Sequence, residues 1–118
     1  MAGAMHGSDN RLKASRSAIP GTAGVAAVNG AIQAMALTMA KELAPLRVNV
    51  LSPGLVDTPA YDHMSAGEKQ AFFQQMGGSL PVGRVGRPEE VGEGVAFLIS
   101  NGYTTGAVLD IDGGGRLH

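Results

Sequence analysis

Residues 29–58 read NGAIQAMALTMAKELAPLRVNVLSPGLVDT, and this stretch decides the fold. A run of small and apolar residues ends in Lys41, then Pro45, which together close a helix. The short segment from Leu46 to Leu51 is rich in valine and suits the interior of a parallel sheet. It feeds directly into Pro53-Gly54, a tight turn at the strand's carboxyl end. Open α/β sheets hold their ligands at such a place.

Outward from that stretch, the pattern predicts a helix over residues 23–43. Val25, Val28, Ile32, Met35, Met39 and Leu43 recur three or four apart and mark its apolar face. Ala26, Ala27, Gly30, Ala31, Ala34 and Ala36 keep the remaining surface small, so burial is expected on more than one side. On the carboxyl side, Ser65 and Glu68 have capping-box spacing and start a helical insert that breaks at Gly77-Gly78. Pro88-Glu89-Glu90 opens the next helix, through about Ser100, with proline in the first turn and two carboxylates at the positive end. A final strand is expected over residues 107–111, closed by Asp112-Gly113-Gly114.

Four fragments, in order, carry a resemblance to the carboxyl-terminal half of the short-chain dehydrogenase/reductases: LAPLRVNVLSPG, the VDT after it, LPVGRVGRPEEV and TTGAVLDIDGG. The likeness runs from about residue 14 to residue 112. It implies an α/β fold, the carboxyl-terminal part of a doubly wound Rossmann-like parallel sheet with two strands and flanking helices. The amino-terminal βαβαβ half is absent on this reading. Residues 1–13 are expected to be a flexible leader and residues 14–118 the partial domain. Arg11, Lys13 and Arg16 read as a solvated basic arm, with a phosphate-binding role as the alternative.

The resemblance implies NAD or NADP as cofactor and a small carbonyl or alcohol as substrate. In this family a tyrosine exchanges the proton, and a lysine four residues later lowers its pKa and holds the ribose; a phenol near pKa 10 needs such a neighbour at neutral pH. Aligned through the AxN-GA segment, the tyrosine position falls on Val25 and the lysine position on Asn29. The family's serine falls near Arg11 or Leu12. The sequence therefore names no catalytic residue. The family's nicotinamide loop corresponds to Pro53, Gly54, Val56 and Thr58, whose backbone groups and threonine hydroxyl touch the carboxamide. The plain alternative is a turn at Pro53-Gly54 with Thr58 capping the next segment. Gly77, Gly78 and Gly83 do not substitute for a pyrophosphate turn, because no strand precedes them.

Tyr61 and His63 read as surface residues of the substrate loop, with an acid/base role as the alternative, Tyr103 as a packing residue, and Asp110 and Asp112 as acceptors for turn amides. The six methionines read as core filler. His6, His63 and His118 are too scattered to suggest a metal site. With a net charge of −1 over 118 residues, neither nucleic acid nor an acidic membrane is an expected partner. There is no cysteine, so no disulfide constrains the compartment. No unbroken apolar run reaches the roughly 18 residues of a membrane span, and a cytoplasmic location is expected. Two functions stay open: an oxidoreductase of this family, truncated and weakly active or inactive alone, or a non-catalytic remnant that associates with itself or a longer relative. Either way a homo-oligomer is expected, because two strands leave open edges.

Overall fold

The computed structural model describes residues 21 and 23–117. The leader, the basic cluster and the position of the family's serine therefore lie outside the described residues. The element order is α1 (Ala23–Glu42), β1 (Val50–Pro53), a 3-10 turn (Pro59–Tyr61), α2 (Ala66–Gly78), α3 (Pro88–Ser100) and β2 (Val108–Ile111). The two strands form a parallel pair with Val50 opposite Val108 and Pro53 opposite Ile111.

Alternation of side chains across a strand sets the layers. Val50 and Val108 face α1, where Ile32 and Ala36 complete a small core with Val48. Leu51 and Ile111 face α3, whose Gly94 comes so close that a Cβ there would stand 3.0 Å from Leu51 Cδ1 and 3.1 Å from Ile111 Cγ1. A helix on each face of a parallel strand pair is the α/β arrangement expected from the sequence.

Strand β1 begins and ends later than residues 46–51. The reason is side-chain bonding upstream. The Arg47 guanidinium donates to the carbonyls of Leu98, Ile99 and Thr104. The Asn49 amide donates to Thr104 O and accepts from the Ala107 N–H. The Asn49 side chain takes the Ala107 N–H that a ladder would use, so regular pairing starts only at Val50, whose N–H donates to Ala107 O. Pro53 is tolerated as the last strand residue for the same geometric reason. The Val50 and Gly54 N–H groups donate to Ala107 O and Ile111 O at 2.9 and 2.8 Å; the nitrogen of Pro53, one position off this alternation, points the other way, where no ladder bond is lost.

Helix α1 has the expected length, but its covered stripe is only partly the expected one: Val25, Ile32 and Met39 are half-buried. Asn29 and Ala36 are buried, whereas Val28 and Met35 are more than half exposed. Because nearly every position is small or apolar, the sequence pattern alone leaves the helix's rotation undetermined; the strand pair's valines select the Ile32–Ala36 side. Burial on more than one side is not seen among the described residues. At 20 residues and a mean hydropathy of 1.4, α1 is also long and apolar enough to cross a membrane by length and composition, although it has no unbroken apolar run. Its alanines and methionines are interrupted by Asn29, Gln33 and Thr38.

Candidate functional site

Both strands point their carboxyl ends at the same region. Contacts of Leu37 and Ala40 at Gly106, before β2, and of Ala36 at Val50 show α1 running antiparallel to the strands. At about 1.5 Å per residue, Val25 and Asn29 are carried toward the carboxyl ends, one helical turn apart. Val25 is half-buried and Asn29 is 1% exposed.

At that end the backbone of β1 nearly touches that of β2. A Cβ built on Gly54 would lie 2.5 Å from Asp112 Cα, so only glycine fits. The Asp112 carboxylate accepts from the Gly114 and Arg116 N–H groups, as expected for a turn acid. Asp110 instead pairs with the Arg116 guanidinium at 3.0 Å. A cavity of about 370 Å³ opens here, bounded by Leu55, Val56, Arg84, Asp110 and Gly113 among others.

Beyond Gly54 the chain pairs with a later segment. Val56 forms a parallel bridge to Gly86: the Gly86 N–H donates to Leu55 O at 2.9 Å and the Asp57 N–H donates to Gly86 O at 3.0 Å. In this pattern the N–H and C=O of Val56 itself turn away from Gly86. Asp57 is also tied to α2, with Lys69 Nζ 2.9 Å from its carboxylate and 3.3 Å from that of Asp62. The hydrogen bond from Lys69 to Asp57 raises the lysine pKa above its ordinary value.

Thr58 follows. Its carbonyl accepts from the Tyr61 N–H at 3.1 Å, but its hydroxyl caps nothing. Thr58 Oγ1 is buried and has no hydrogen-bond partner. Buried hydroxyls are almost always satisfied, and an orphan costs about 1–3 kcal/mol. The capping alternative for Thr58 is therefore not what the side chain does. The sequence places Pro53, Gly54, Val56 and Thr58 in one loop, and the structure keeps them at the strands' carboxyl end.

The two tyrosines exchange the roles expected of them. Tyr61 is 8% exposed, with its ring centroid 5.2 Å from Phe73 and 5.8 Å from Phe72. It is the centre of the aromatic contact that seats α2, not a surface residue. Tyr103 is fully exposed and packs nothing. His63 is on the surface as expected, with Nδ1 3.0 Å from Ala60 O. Among the described residues the methionines do not fill the core: none is among the buried hydrophobics.

Sequence reasoning missed a second cluster. Glu90, in the first turn of α3, takes Arg84 in a two-pronged ion pair at 2.7 and 3.0 Å. The same carboxylate accepts from the Arg87 N–H at 2.8 Å and the Arg87 guanidinium at 3.2 Å. The Arg84 guanidinium above all, then the Arg87 N–H, holds the Glu90 carboxyl down to about 2. The signal was present in RVGRPEE, two arginines six and three residues before a glutamate, but it was absorbed into the helix-start reading.

The comparisons with known proteins can now be set beside this geometry. Residues 11–116 match the family described as Enoyl-(Acyl carrier protein) reductase. A 3-oxoacyl-(acyl-carrier-protein) reductase of Thermotoga maritima is 37% identical over 99 residues, which is 80% of this chain and 39% of that protein. A crystal structure of a small-chain dehydrogenase in complex with NADPH superposes with a TM-score of 0.79 at 41% identity, covering 96% of this chain and 50% of the other. An NADPH-bound short-chain oxidoreductase from Pseudomonas aeruginosa PAO1, described as containing an atypical catalytic center, has a TM-score of 0.74 at 30% identity, covering 92% of this chain and 43% of that one. The chain thus spans under two-fifths of the length of that curated relative and half or less of the solved ones. A match across nearly every residue, joined to a fold shared at this identity, means that the chain belongs to the short-chain dehydrogenase/reductase family.

Proposed function

We propose that this chain is the nicotinamide-facing part of an NAD(P)-dependent oxidoreductase acting on a small carbonyl or alcohol. The observation that carries the reading is the Thr58 hydroxyl, buried without a partner at the carboxyl end of a parallel strand pair. Such an atom fits a site completed by a polar ligand, and a nicotinamide carboxamide offers both a donor and an acceptor. When bound, the nicotinamide supplies or accepts the hydride. The chain's own residues orient it: Thr58 Oγ1 bonds the carboxamide, the outward main-chain groups of Val56 add direction, and Pro53 and Gly54 fix where the loop leaves the sheet.

Proton transfer is assigned to no residue. Val25 carries no exchangeable proton, Asn29 is uncharged, and neither tyrosine has a lysine four positions on: Ser65 follows Tyr61 and Ala107 follows Tyr103. That one NADPH-bound relative has an atypical catalytic center supports a departure from the usual pair. Alone, these 118 residues bind dinucleotide weakly, because the sequence has no glycine-rich strand–turn–helix to take the pyrophosphate. They self-associate through apolar side chains left exposed on α1 and α3, among them Met35, Leu37, Phe97 and Ile99.

Thr58→Val tests the reading, because it sets stability and binding at odds. Replacing an unpartnered buried hydroxyl with a methyl should stabilise the free chain by about 1 kcal/mol. It should also weaken a calorimetrically measured affinity for NADPH or NADH about fivefold. A variant that melts lower, or binds as the wild type does, would overturn the assignment.

A further inference from the structure

The geometry points to Glu90 as a positioning residue for the Thr58 loop, acting at a distance through residues 84–87. This inference rests on the cofactor reading of Thr58.

The connection is short and continuous. Residues 84–87 belong to no helix or strand; their one regular pairing is the bridge at Gly86. On one side Gly86 is bonded to Leu55 and Asp57, flanking Val56 and ending one residue short of Thr58. On the other side, α2 presses against the same segment, since a Cβ on Gly77 would lie 2.9 Å from Arg84 Cα and Val85 N. What fixes the segment along its length is Glu90. Its carboxylate takes the guanidinium of Arg84 and both the guanidinium and the N–H of Arg87, so one side chain grips both ends.

Neither arginine is held by burial. The Arg84 side chain is 52% exposed and that of Arg87 67% exposed. Without the carboxylate Arg87 is free to turn into solvent and Arg84 keeps only its bond to the carbonyl of the adjacent Val85, so the Gly86 bridge loses the anchor that ties it to α3. Glu90 itself is placed by α3, which packs through Gly94 onto Leu51 and Ile111. The line therefore runs from the sheet, through α3 and Glu90, to residues 84–87, and across Gly86 to the loop that carries Thr58. A loop that must present one hydroxyl to a ligand is sensitive to small displacements, and a shift of about 1 Å is enough to matter.

Backbone amide exchange on the intact chain, with and without NADPH, tests this. In Glu90→Gln, exchange at the Asp57 and Gly86 amides should accelerate about tenfold relative to the amides that pair β1 with β2. The NADPH concentration that half-saturates the Thr58 amide shift should rise about threefold or more. Because Glu90 also caps α3 through the Arg87 N–H, Arg84→Gln is run beside it. That variant leaves the cap in place and should show smaller changes in the same direction. The double change Arg84→Glu with Glu90→Arg should recover part of both effects, and Glu89→Gln should change neither. Unchanged exchange at Asp57 and Gly86 in both single variants overturns the inference. So does faster exchange with no change in the NADPH response, which makes Glu90 structural only. If the wild-type Thr58 amide fails to respond to NADPH at all, the cofactor reading itself falls, whatever the exchange rates show.

Discussion

A methyl group at Gly54 has nowhere to go. Its Cβ would stand 2.5 Å from Asp112 Cα, 2.8 Å from Asp112 Cβ and 3.0 Å from the Asp112 carbonyl oxygen. Carbon contacts relax at about 3.5–4.0 Å, so Gly54→Ala must drive the strand ends apart by about 1 Å or more. The obstacle is main chain, so no rotamer change relieves it. The same movement stretches the 2.8 Å bond from the Gly54 N–H to Ile111 O. Overpacking costs about 1–3 kcal/mol and the weakened bond about 0.5–1.5, so a loss of about 2–4 kcal/mol is expected. With a urea slope of about 2 kcal/mol per molar, the middle of the usual range, the unfolding midpoint should fall by about 1–2 M. Gly92→Ala is the internal control. Gly92 lies inside α3 with nothing beyond its own stretch of helix within 4 Å of its would-be Cβ, so alanine there should add about 0.5–1 kcal/mol. Circular dichroism during urea titration reads both. If Gly54→Ala unfolds with the wild type, the close approach that places the loop is wrong.

Three further outcomes follow from the described contacts. The folded state holds the Glu90 carboxyl at about 2, below its unfolded value of about 4.3. Its contribution to stability is therefore complete above about pH 5 and lost as pH falls toward 2; the stability gap between wild type and Glu90→Gln should close over that window, and a gap independent of pH contradicts the ion pair. In the capping box of α2, Ser65 Oγ accepts from the Glu68 N–H at 3.2 Å and the Glu68 carboxylate from the Ser65 N–H at 3.3 Å. Ser65→Ala should cost about 1 kcal/mol by urea unfolding, and an unchanged midpoint would show that the box does not hold α2. Light scattering at micromolar concentration should find a dimer or larger species that Met35→Glu shifts toward monomer; a cooperatively melting wild-type monomer refutes the association.

What the sequence made legible was local or strongly patterned. The Ser65–Glu68 box and the Pro88 helix start lie within one turn of chain and emerge where expected. The carboxyl-terminal boundary of α1 follows from Lys41 and Pro45, which need no tertiary context. Its rotation does need such context, because small apolar residues surround the helix and only contact with Val50 and Val108 selects the face. The start of β1 was missed because Arg47 and Asn49 bond partners more than fifty positions away. Tyr61 and Tyr103 look alike in sequence: each is a tyrosine in a loop. Phe72 and Phe73, brought in by α2, bury the first and leave nothing to bury the second. At the candidate site, the loop was singled out through its resemblance to a family. The lone hydroxyl of Thr58 and the reach of Glu90 to Arg84 emerge only once the chain is folded.

The central claim is that the loop bearing Pro53, Gly54, Val56 and Thr58 faces the nicotinamide end of a dinucleotide. Amide shift mapping of the isolated chain with the two halves of the cofactor tests it most directly. Nicotinamide mononucleotide, titrated through the millimolar range of about −4 kcal/mol, should move the Gly54, Val56 and Thr58 amides. ADP-ribose at the same concentrations should leave them in place. Shifts at this loop with ADP-ribose but not with the mononucleotide, or no shift there with either, would contradict the account.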